Sequence, residues 1–133
     1  MIKFQDKNII LIEKGKNMIK TFYKKEEIEK YYDKERNCYN FVENNIILDV
    51  HFMFDLKIKS HIQANNILGF NIECLNISCS NIGAQSLNVD NLICCANIDV
   101  LFLTAKYVCF GESISVRGTT NVGALVQDRL TNW

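Results

Sequence analysis

The side chains in this chain best suited to chemistry are six cysteines and two histidines. Thiolates and imidazoles bind zinc when they recur in close pairs such as C-x-x-C, and a thiolate beside an imidazole can act as a nucleophile. No C-x-x-C pair occurs, the adjacent residues Cys94 and Cys95 are too constrained to bridge each other, and Cys109 has no histidine next to it in sequence. We therefore expect no metal site, no cofactor and no catalytic thiol.

Signatures of other enzyme classes are also missing. The sequence contains no G-x-G-x-x-G, P-loop, H-E-x-x-H or G-x-S-x-G motif. Glu26, Glu27 and Glu29 have lysine neighbours, which is typical of a solvated helix face. The sequence predicts a protein that is not an enzyme.

Three of the cysteines belong to a repeat. A branched aliphatic residue recurs every fifth position, and a second, usually small, residue follows two positions later. The aliphatic residues are Ile62, Ile67, Ile72, Ile77, Ile82, Leu87 and Leu92, and the second residues are Ala64, Gly69, Cys74, Cys79, Ala84, Val89 and Cys94. A period of five fits neither a helix nor a long flat strand, and it indicates a β-solenoid that turns a corner every five residues. In that fold both members of each pair point inward, so these cysteines are small core residues.

The row continues with Ile98, Leu103, Val108 and Ile114, after extra residues near Cys95-Ala96 and near Glu112-Ser113. An extra residue that leaves the inward alternation intact predicts a bulged corner. Asparagine precedes the inward aliphatic residue at six positions, which favours corners whose amides stack into ladders. These asparagines are Asn66, Asn71, Asn76, Asn81, Asn91 and Asn97.

The run NILGFNIECLNISCSNIGAQSLNVDNLICCANIDV resembles the pentapeptide-repeat solenoids, whose A(D/N)LXX units wind a square right-handed helix. The chain is more similar still to small "NINAWDIKA"-repeat proteins of low-GC Gram-positive bacteria and their phages. That second likeness rests on CYNFVENNIILDVHFMFDL at 38–56, the repeats at 62–110 and KYVCFGESISVRG at 106–118, and it covers roughly residues 25–118. The resemblance implies a mainly β fold, a short right-handed quadrilateral β-solenoid of about three turns with a small α/β N-terminal cap.

We expect one compact domain with three parts: a cap at 1–45, the solenoid at 46–118, and a C-terminal cap or interface tail at 119–133. The cap holds short strands at Ile2–Phe4 and Ile9–Ile12 and a helix over 22–33. Residues 46–58 alternate as one long strand that places Phe52 and Phe54 in the core.

The tail has apolar residues at near-helical spacing, namely Val122, Leu125, Val126, Leu130 and Trp133. Two interpretations remain open. The tail folds back as a cap, or it presents an apolar stripe to a partner. The pentapeptide-repeat resemblance implies an end-to-end homodimer in the second case.

Charge argues against nucleic acid and membrane as direct partners. The formal net charge is zero, and no apolar run approaches the ~18 residues of a membrane span. Unpaired thiols are typical of a reducing compartment, so we expect a cytoplasmic protein of a bacterial cell.

Outward apolar residues give the best lead to function. Phe70, Leu75, Ile93, Phe102 and Tyr107 fall outside the inward slots, beside the acidic residues Glu73, Asp90 and Asp99. Aromatic and aliphatic side chains on a rigid face are typical of protein-binding surfaces. The alternative is that the chain's own end segments cover them.

These features predict a protein-interaction module, an inhibitor or adaptor that docks on a larger cytoplasmic partner. The resemblance implies a phage-derived protein and a nucleic-acid-handling partner such as a gyrase or a CRISPR nuclease, that is, an anti-CRISPR or DNA-mimic role. Four acids in residues 61–116 fall well below the charge density of duplex DNA, about one charge per 1.7 Å, so docking on a protein surface is favoured over mimicry. The alternative function is a structural, self-assembling solenoid of the bactofilin type.

Overall fold

The computed structural model describes residues 19–128. The strands predicted at Ile2–Phe4 and Ile9–Ile12, together with Leu130 and Trp133, lie outside these residues. The described residues are mainly β, with 65% of them in strands and 6% in a helix. The helical element is a 3₁₀ helix, Lys25–Tyr31. The strands are, in chain order, β1 (Ile19–Phe22), β2 (Tyr32–Asp33), β3 (Cys38–Asn40), β4 (Val42–Glu43), β5 (Ile46–Ile47), β6 (Asp49–Phe52), β7 (Leu56–Lys57), β8 (His61–Gln63), β9 (Asn66–Leu68), β10 (Asn71–Glu73), β11 (Asn76–Cys79), β12 (Asn81–Cys94), β13 (Asn97–Phe110), β14 (Ser113–Val116) and β15 (Thr120–Gln127).

The strands stack in parallel as a solenoid of about 5 turns, which confirms the predicted fold class. The number of sides differs from the prediction. Ile62 pairs with Ile77, and Ile77 pairs with Leu92, so one turn takes 15 residues in the middle of the repeat. Fifteen residues make three five-residue sides, whereas the square helix implied by the resemblance needs four. Because each turn is shorter, the same chain makes more turns than the three expected.

Three faces result. Face I contains β3, β8, β11 and the last parts of β12, β13 and β15. Face II contains β1, β6, β9, the first parts of β12 and β13, and β14. Face III contains β7, β10, the middle parts of β12 and β13, and the first part of β15. The chain passes from face I to II to III in every turn, so each corner stacks equivalent residues along the whole solenoid.

Inward residues fill the solenoid as predicted. Ile62, Ile77 and Leu92 are almost fully buried, and so are the thiols of Cys79 and Cys94. Burial of these apolar side chains is the main source of stability in a repeat protein, since each turn contacts only its neighbours.

The inserted residues form wider corners, also as predicted. Cys95-Ala96 and Gly111-Glu112 stack on each other, and the pairing offset rises to 16 residues, as between Ile82 and Ile98. Gly111 lies so close to the carbonyl oxygen of Cys95 that a Cβ at this position would overlap it. Only glycine therefore fits this corner.

Amide ladders run along the corners, which confirms the interpretation of the asparagine row. The Asn81 side-chain amide donates to Asn66 Oδ1 at 2.8 Å, and its own oxygen accepts from the side-chain amide of Asn97 at 3.1 Å. Ser113 Oγ extends the same ladder by donating to Asn97 Oδ1 at 2.7 Å. Each turn is thus bonded to the next by side chains as well as by backbone.

The N-terminal end is closed by the 3₁₀ helix, which is shorter than the helix predicted over 22–33. In a 3₁₀ helix residues three apart lie above one another, and this brings Ile28 and Tyr31 together on the buried side. The Tyr31 ring packs against Phe41 with ring centroids 5.0 Å apart, and Phe41 packs against Phe52 at 5.7 Å. Aromatic rings therefore fill the wide first turn.

The single strand predicted over 46–58 is divided into β5, β6 and β7. β5 belongs to a separate hairpin with β4, whose turn residues Asn44 and Asn45 have φ of 53° and 63°. The predicted alternation of burial is correct nonetheless. Phe52 is fully buried, and Phe54 is half-buried against it at 6.0 Å between ring centroids.

Residues 120–127 form a strand rather than the helix that their spacing suggested. β15 pairs in parallel with β13, with Val122 beside Ala105 and Leu125 beside Val108. The edge of β13 supplies backbone hydrogen-bond partners for the residues of β15 whose amide and carbonyl groups face it, and this outweighs the helical spacing of the apolar residues in the segment.

Candidate protein-interaction surface

The predicted contact residues lie at two different corners and on two faces. Phe70, Phe102 and Asp99 flank the corner between faces II and III. Leu75 and Asp90 lie at the corner between faces III and I, and Tyr107 lies just after this corner, at the start of face I. Glu73 lies in the middle of face III, and Ile93 lies in the middle of face I. The structure therefore does not unite them into one site.

The II–III corner carries a row of mostly apolar side chains, which we call the corner row. Its members take the same place in successive turns: Tyr23, Met53, Phe70, Gln85 and Leu101. Exposed side-chain fractions are 66% for Tyr23, 40% for Met53 and 41% for Phe70. Leu68 on face II (53%) and Phe102 on face III (43%) widen the row on either side. Isolated exposed apolar residues are ordinary, but a contiguous set is typical of a binding surface.

Sequence reasoning found Phe70 and Phe102 but missed Leu68, Met53 and Tyr23. For Leu68 a signal was present. It occupies the outward slot after an inward isoleucine, where Glu73, Ser78 and Asn88 stand in other repeats. Met53 and Tyr23 lie outside the repeat, and only the pairing of β1 with β6 places them at this corner.

A depression lies beside Gln85, at the fourth turn of the corner row, and we call it the Gly83 groove. It is an open cavity of about 360 Å³ with Gly83 and Gln85 in its floor. One wall is formed by Leu68 and Phe70, and the other is formed by Asp99, Leu101 and Arg117. A Cβ on Gly83 would stand 3.0 Å from Cδ2 of Leu68, so the groove exists because this outward slot holds glycine.

The far wall of the groove is charged. Arg117 Nε lies 3.6 Å from Asp99 Oδ1, and both side chains are about two-thirds exposed. An ion pair this exposed contributes little to stability, so its groups remain available for a partner. Next to the groove on face II, burial lowers the pKa of His51, which pairs in register with Leu68.

The III–I corner is more polar. Asp90 and Lys106 stand in successive turns with Oδ1 and Nζ 3.8 Å apart, and Leu75 below them is only half-buried. Burial, with a smaller contribution from Asp90, raises the pKa of the Cys74 thiol to about 12, which keeps this core cysteine protonated and unreactive. Because Asp90 and Asp99 each pair with a cation, the acidic surface that DNA mimicry requires is weaker than the count of acids suggests.

Face I is less exposed than the sequence predicted. Ile93 and Tyr107 are half-buried, and Cys109 is buried although it stands in the outward slot between Ile93 and Val126. These residues do not join the corner row, which lies on the opposite side of the solenoid.

The C-terminal end of the solenoid exposes part of its core. Leu125 is 52% exposed, and Ile114, Val116 and Val122 are half-buried. Leu125 and Val122 occupy inward slots, whereas Val126 points outward on face I. Among residues 19–128, no strand pairs with the outer edges of β14 and β15.

No other chemistry is assembled within the described part of the chain. All six cysteines are free thiols. Residues 19–128 contain no group of three or more His, Cys, Asp or Glu side chains placed to hold a metal ion. The same residues include no helix long and apolar enough to cross a membrane.

Comparison with known proteins gives no further assignment. No protein family matches the chain, and neither the curated proteins nor the solved structures include a significant match.

Proposed function

We propose that this chain is a non-enzymatic protein-interaction module, an inhibitor or adaptor that docks on a larger partner protein through the II–III corner. The observation that carries the proposal is the corner row, in which apolar side chains remain exposed on successive turns of a rigid solenoid. Placing Phe70, Leu68 and Met53 in contact with water has a free-energy cost, and contact with a partner removes it.

The repeats add a reason to expect a nucleic-acid-handling partner. By their resemblance to the pentapeptide-repeat proteins, some of which occupy nucleic-acid enzymes, and to small phage proteins, we propose a gyrase or a CRISPR nuclease as the target and a bacterial cytoplasm as the place of action. The six free thiols fit such a reducing compartment. Since Asp90 and Asp99 are bridged to cations, we propose contact with a protein surface and not occupation of a DNA site.

The proposal is tested by affinity capture followed by reconstitution. The full chain is used as bait in a lysate of a low-GC Gram-positive bacterium, beside a Phe70→Ser/Leu68→Ser bait that serves as a control. We expect the wild-type bait to retain one protein that the variant does not, and the purified pair to bind one to one with inhibition or relocation of the partner. Retention of the same proteins by both baits, or of none, contradicts the proposal.

A second candidate function is self-association at the C-terminal end. It is favoured by the exposed Leu125 and by the outer edges of β14 and β15, with which no strand of residues 19–128 pairs. At the opposite end, the 3₁₀ helix lies over the first turn and β2 pairs antiparallel with β3, and this cover works against head-to-tail stacking into a filament. We therefore propose a two-fold dimer in place of the bactofilin-like polymer.

The charges at this end fit such a dimer. Glu112 precedes β14 and Arg117 follows it, at its two opposite corners. A two-fold axis through face II would set β14 antiparallel to the β14 of a second copy, and Glu112 of each copy would approach Arg117 of the other. Sedimentation velocity over a concentration series tests this, because a monomer at every concentration excludes the dimer.

A further inference from the structure

The corner row is a straight line of side chains that runs along the solenoid axis. Its members are one turn apart, and stacked strands are spaced about 4.8 Å, so the row from Tyr23 to Leu101 is about 19 Å long. Four of its five members are apolar, and the exception, Gln85, stands at the Gly83 groove. The row thus offers three apolar side chains, Tyr23, Met53 and Phe70, on one side of the groove and Leu101 on the other.

Backbone hydrogen bonding restricts what can bind along this line. The strands on either side of the row already pair with the turns above and below, as β12 does with β9 and β13 on face II. At the corner itself, the backbone amide of Gln85 donates to the carbonyl of Phe70 at 2.8 Å. A partner lying here finds no free strand edge, so its own amides must be satisfied within its own segment.

We infer that the corner row binds an amphipathic α-helix of the partner, laid parallel to the solenoid axis with one large apolar side chain in the Gly83 groove. This inference rests on the proposed function and names the element that is recognised. A helix satisfies its own backbone groups, and its 5.4 Å pitch nearly matches the spacing of the turns. About 13 helical residues at 1.5 Å each cover the length of the row.

Charge indicates which helix fits. Asp99 lies to one side of the row on face II, and Asp55 and Glu73 lie on the side of face III. Arg117 bridges Asp99, and Lys57 pairs in register with Glu73. The exposed Asp55 accepts a hydrogen bond from the side-chain amide of Asn71 at 3.0 Å, and no cation among residues 19–128 pairs with it. The helix that fits therefore carries at least one Lys or Arg beside its apolar stripe, at the level of Met53 and Phe70.

Photo-crosslinking of the retained partner tests the inference. Benzoyl-phenylalanine replaces Met53, Phe70 or Leu101 in the full chain, one position at a time, and Ile93 on face I serves as the matched control. Met53 and Leu101 are three turns apart, about 14 Å. A helix bridges this distance with 9 or 10 residues, whereas an extended strand needs about four.

We expect the three row positions to crosslink to one partner segment, with the Met53 and Leu101 sites 9 or 10 residues apart and the Phe70 site between them. Ile93 should give no crosslink to that segment. Partner crosslinks about four residues apart, or crosslinks in unrelated segments, overturn the helix while the proposed function stands. Three results would overturn both the helix and the proposed function: crosslinks only to residues 1–18 of this chain, crosslinks only to a second copy, or no crosslink to any protein.

Discussion

Cδ2 of Leu68 lies 3.0 Å from the point where a Cβ on Gly83 would stand. The two residues are paired neighbours in the outward slots of β9 and β12, and the leucine occupies the space beside the glycine. The exposed side chain of Leu68 forms a wall of the Gly83 groove, and the absence of a side chain on Gly83 leaves the space beside it open. The most distinctive feature of the outer surface therefore depends on one residue without a side chain.

Filling this groove should abolish docking without unfolding the protein. The φ of Gly83 is not positive, so Gly83→Val is compatible with the backbone, and replacing a glycine within a strand offsets the small shift required of Leu68. We expect the affinity for the retained partner to fall at least about tenfold, roughly 1.4 kcal/mol, while the melting temperature changes by less than about 4 °C. Ser78→Val, at the equivalent slot of face I, is the control and should leave affinity unchanged.

Loss of one ladder amide should destabilise the solenoid measurably. Asn81 donates to Asn66 and accepts from both the backbone and the side-chain amide of Asn97. Asn81→Ala leaves these groups without their partner, and we expect the free energy of unfolding to fall by about 1–3 kcal/mol in a urea titration. Asn88→Ala removes an exposed amide in the middle of face III and should cost less than about 0.5 kcal/mol. Equal losses for the two variants would show that the ladders contribute nothing.

Acidification should weaken the fold through His51. Burial lowers the pKa of this imidazole below its usual value, so the folded state binds a proton less readily than the unfolded state. The contribution of His51 to stability is thus complete above the unfolded pKa, near 6.5, and is lost as the pH falls through the lower folded pKa. Melting temperatures at pH 7.5 and 5.0 should differ less for His51→Gln than for the wild type. An unchanged difference would rule out His51 as the source.

Charge reversal at the C-terminal end separates the dimer from the monomer. If Glu112 and Arg117 meet across a two-fold axis, Glu112→Arg or Arg117→Glu alone places like charges together and weakens association. The double variant restores opposite charges and should dimerise again at the concentration at which the wild type does. Light scattering that shows the same mass for all four proteins would contradict the two-fold arrangement.

The inside of the fold could be predicted from the sequence because the inward slots are chemically uniform. Ile77 and Leu92 belong to a row with a fixed spacing, and the extra residue near Cys95-Ala96 predicts a bulged corner because the inward alternation continues on both sides of it. The number of sides could not be derived in this way, since a five-residue period sets the distance between corners and not the angle at each one. Only the pairing of Ile62 with Ile77 shows that three sides close a turn.

The surface was harder to predict for a related reason. Phe70 and Leu75 hold the same place in consecutive pentads, yet a three-sided turn sends them to different corners, where Phe70 is exposed and Leu75 is half-buried. The corner row also includes Met53, which lies outside the repeat, and no local sequence pattern predicts that Met53 stands in line with Phe70. Outer-surface neighbours are set by the turn length, and the turn length is a property of the whole solenoid.

Binding measured on matched pairs of surface variants tests the central claim most directly. Leu68→Ser/Phe70→Ser removes the apolar contacts at the II–III corner, and Leu75→Ser/Ile93→Ser removes two apolar side chains from the other side of the solenoid. With the purified partner in a titration calorimeter, we predict at least about a thirtyfold loss of affinity, roughly 2 kcal/mol, for the first pair and less than about a twofold change for the second. Full affinity in the first pair, or a larger loss in the second, would contradict the assignment of binding to this corner.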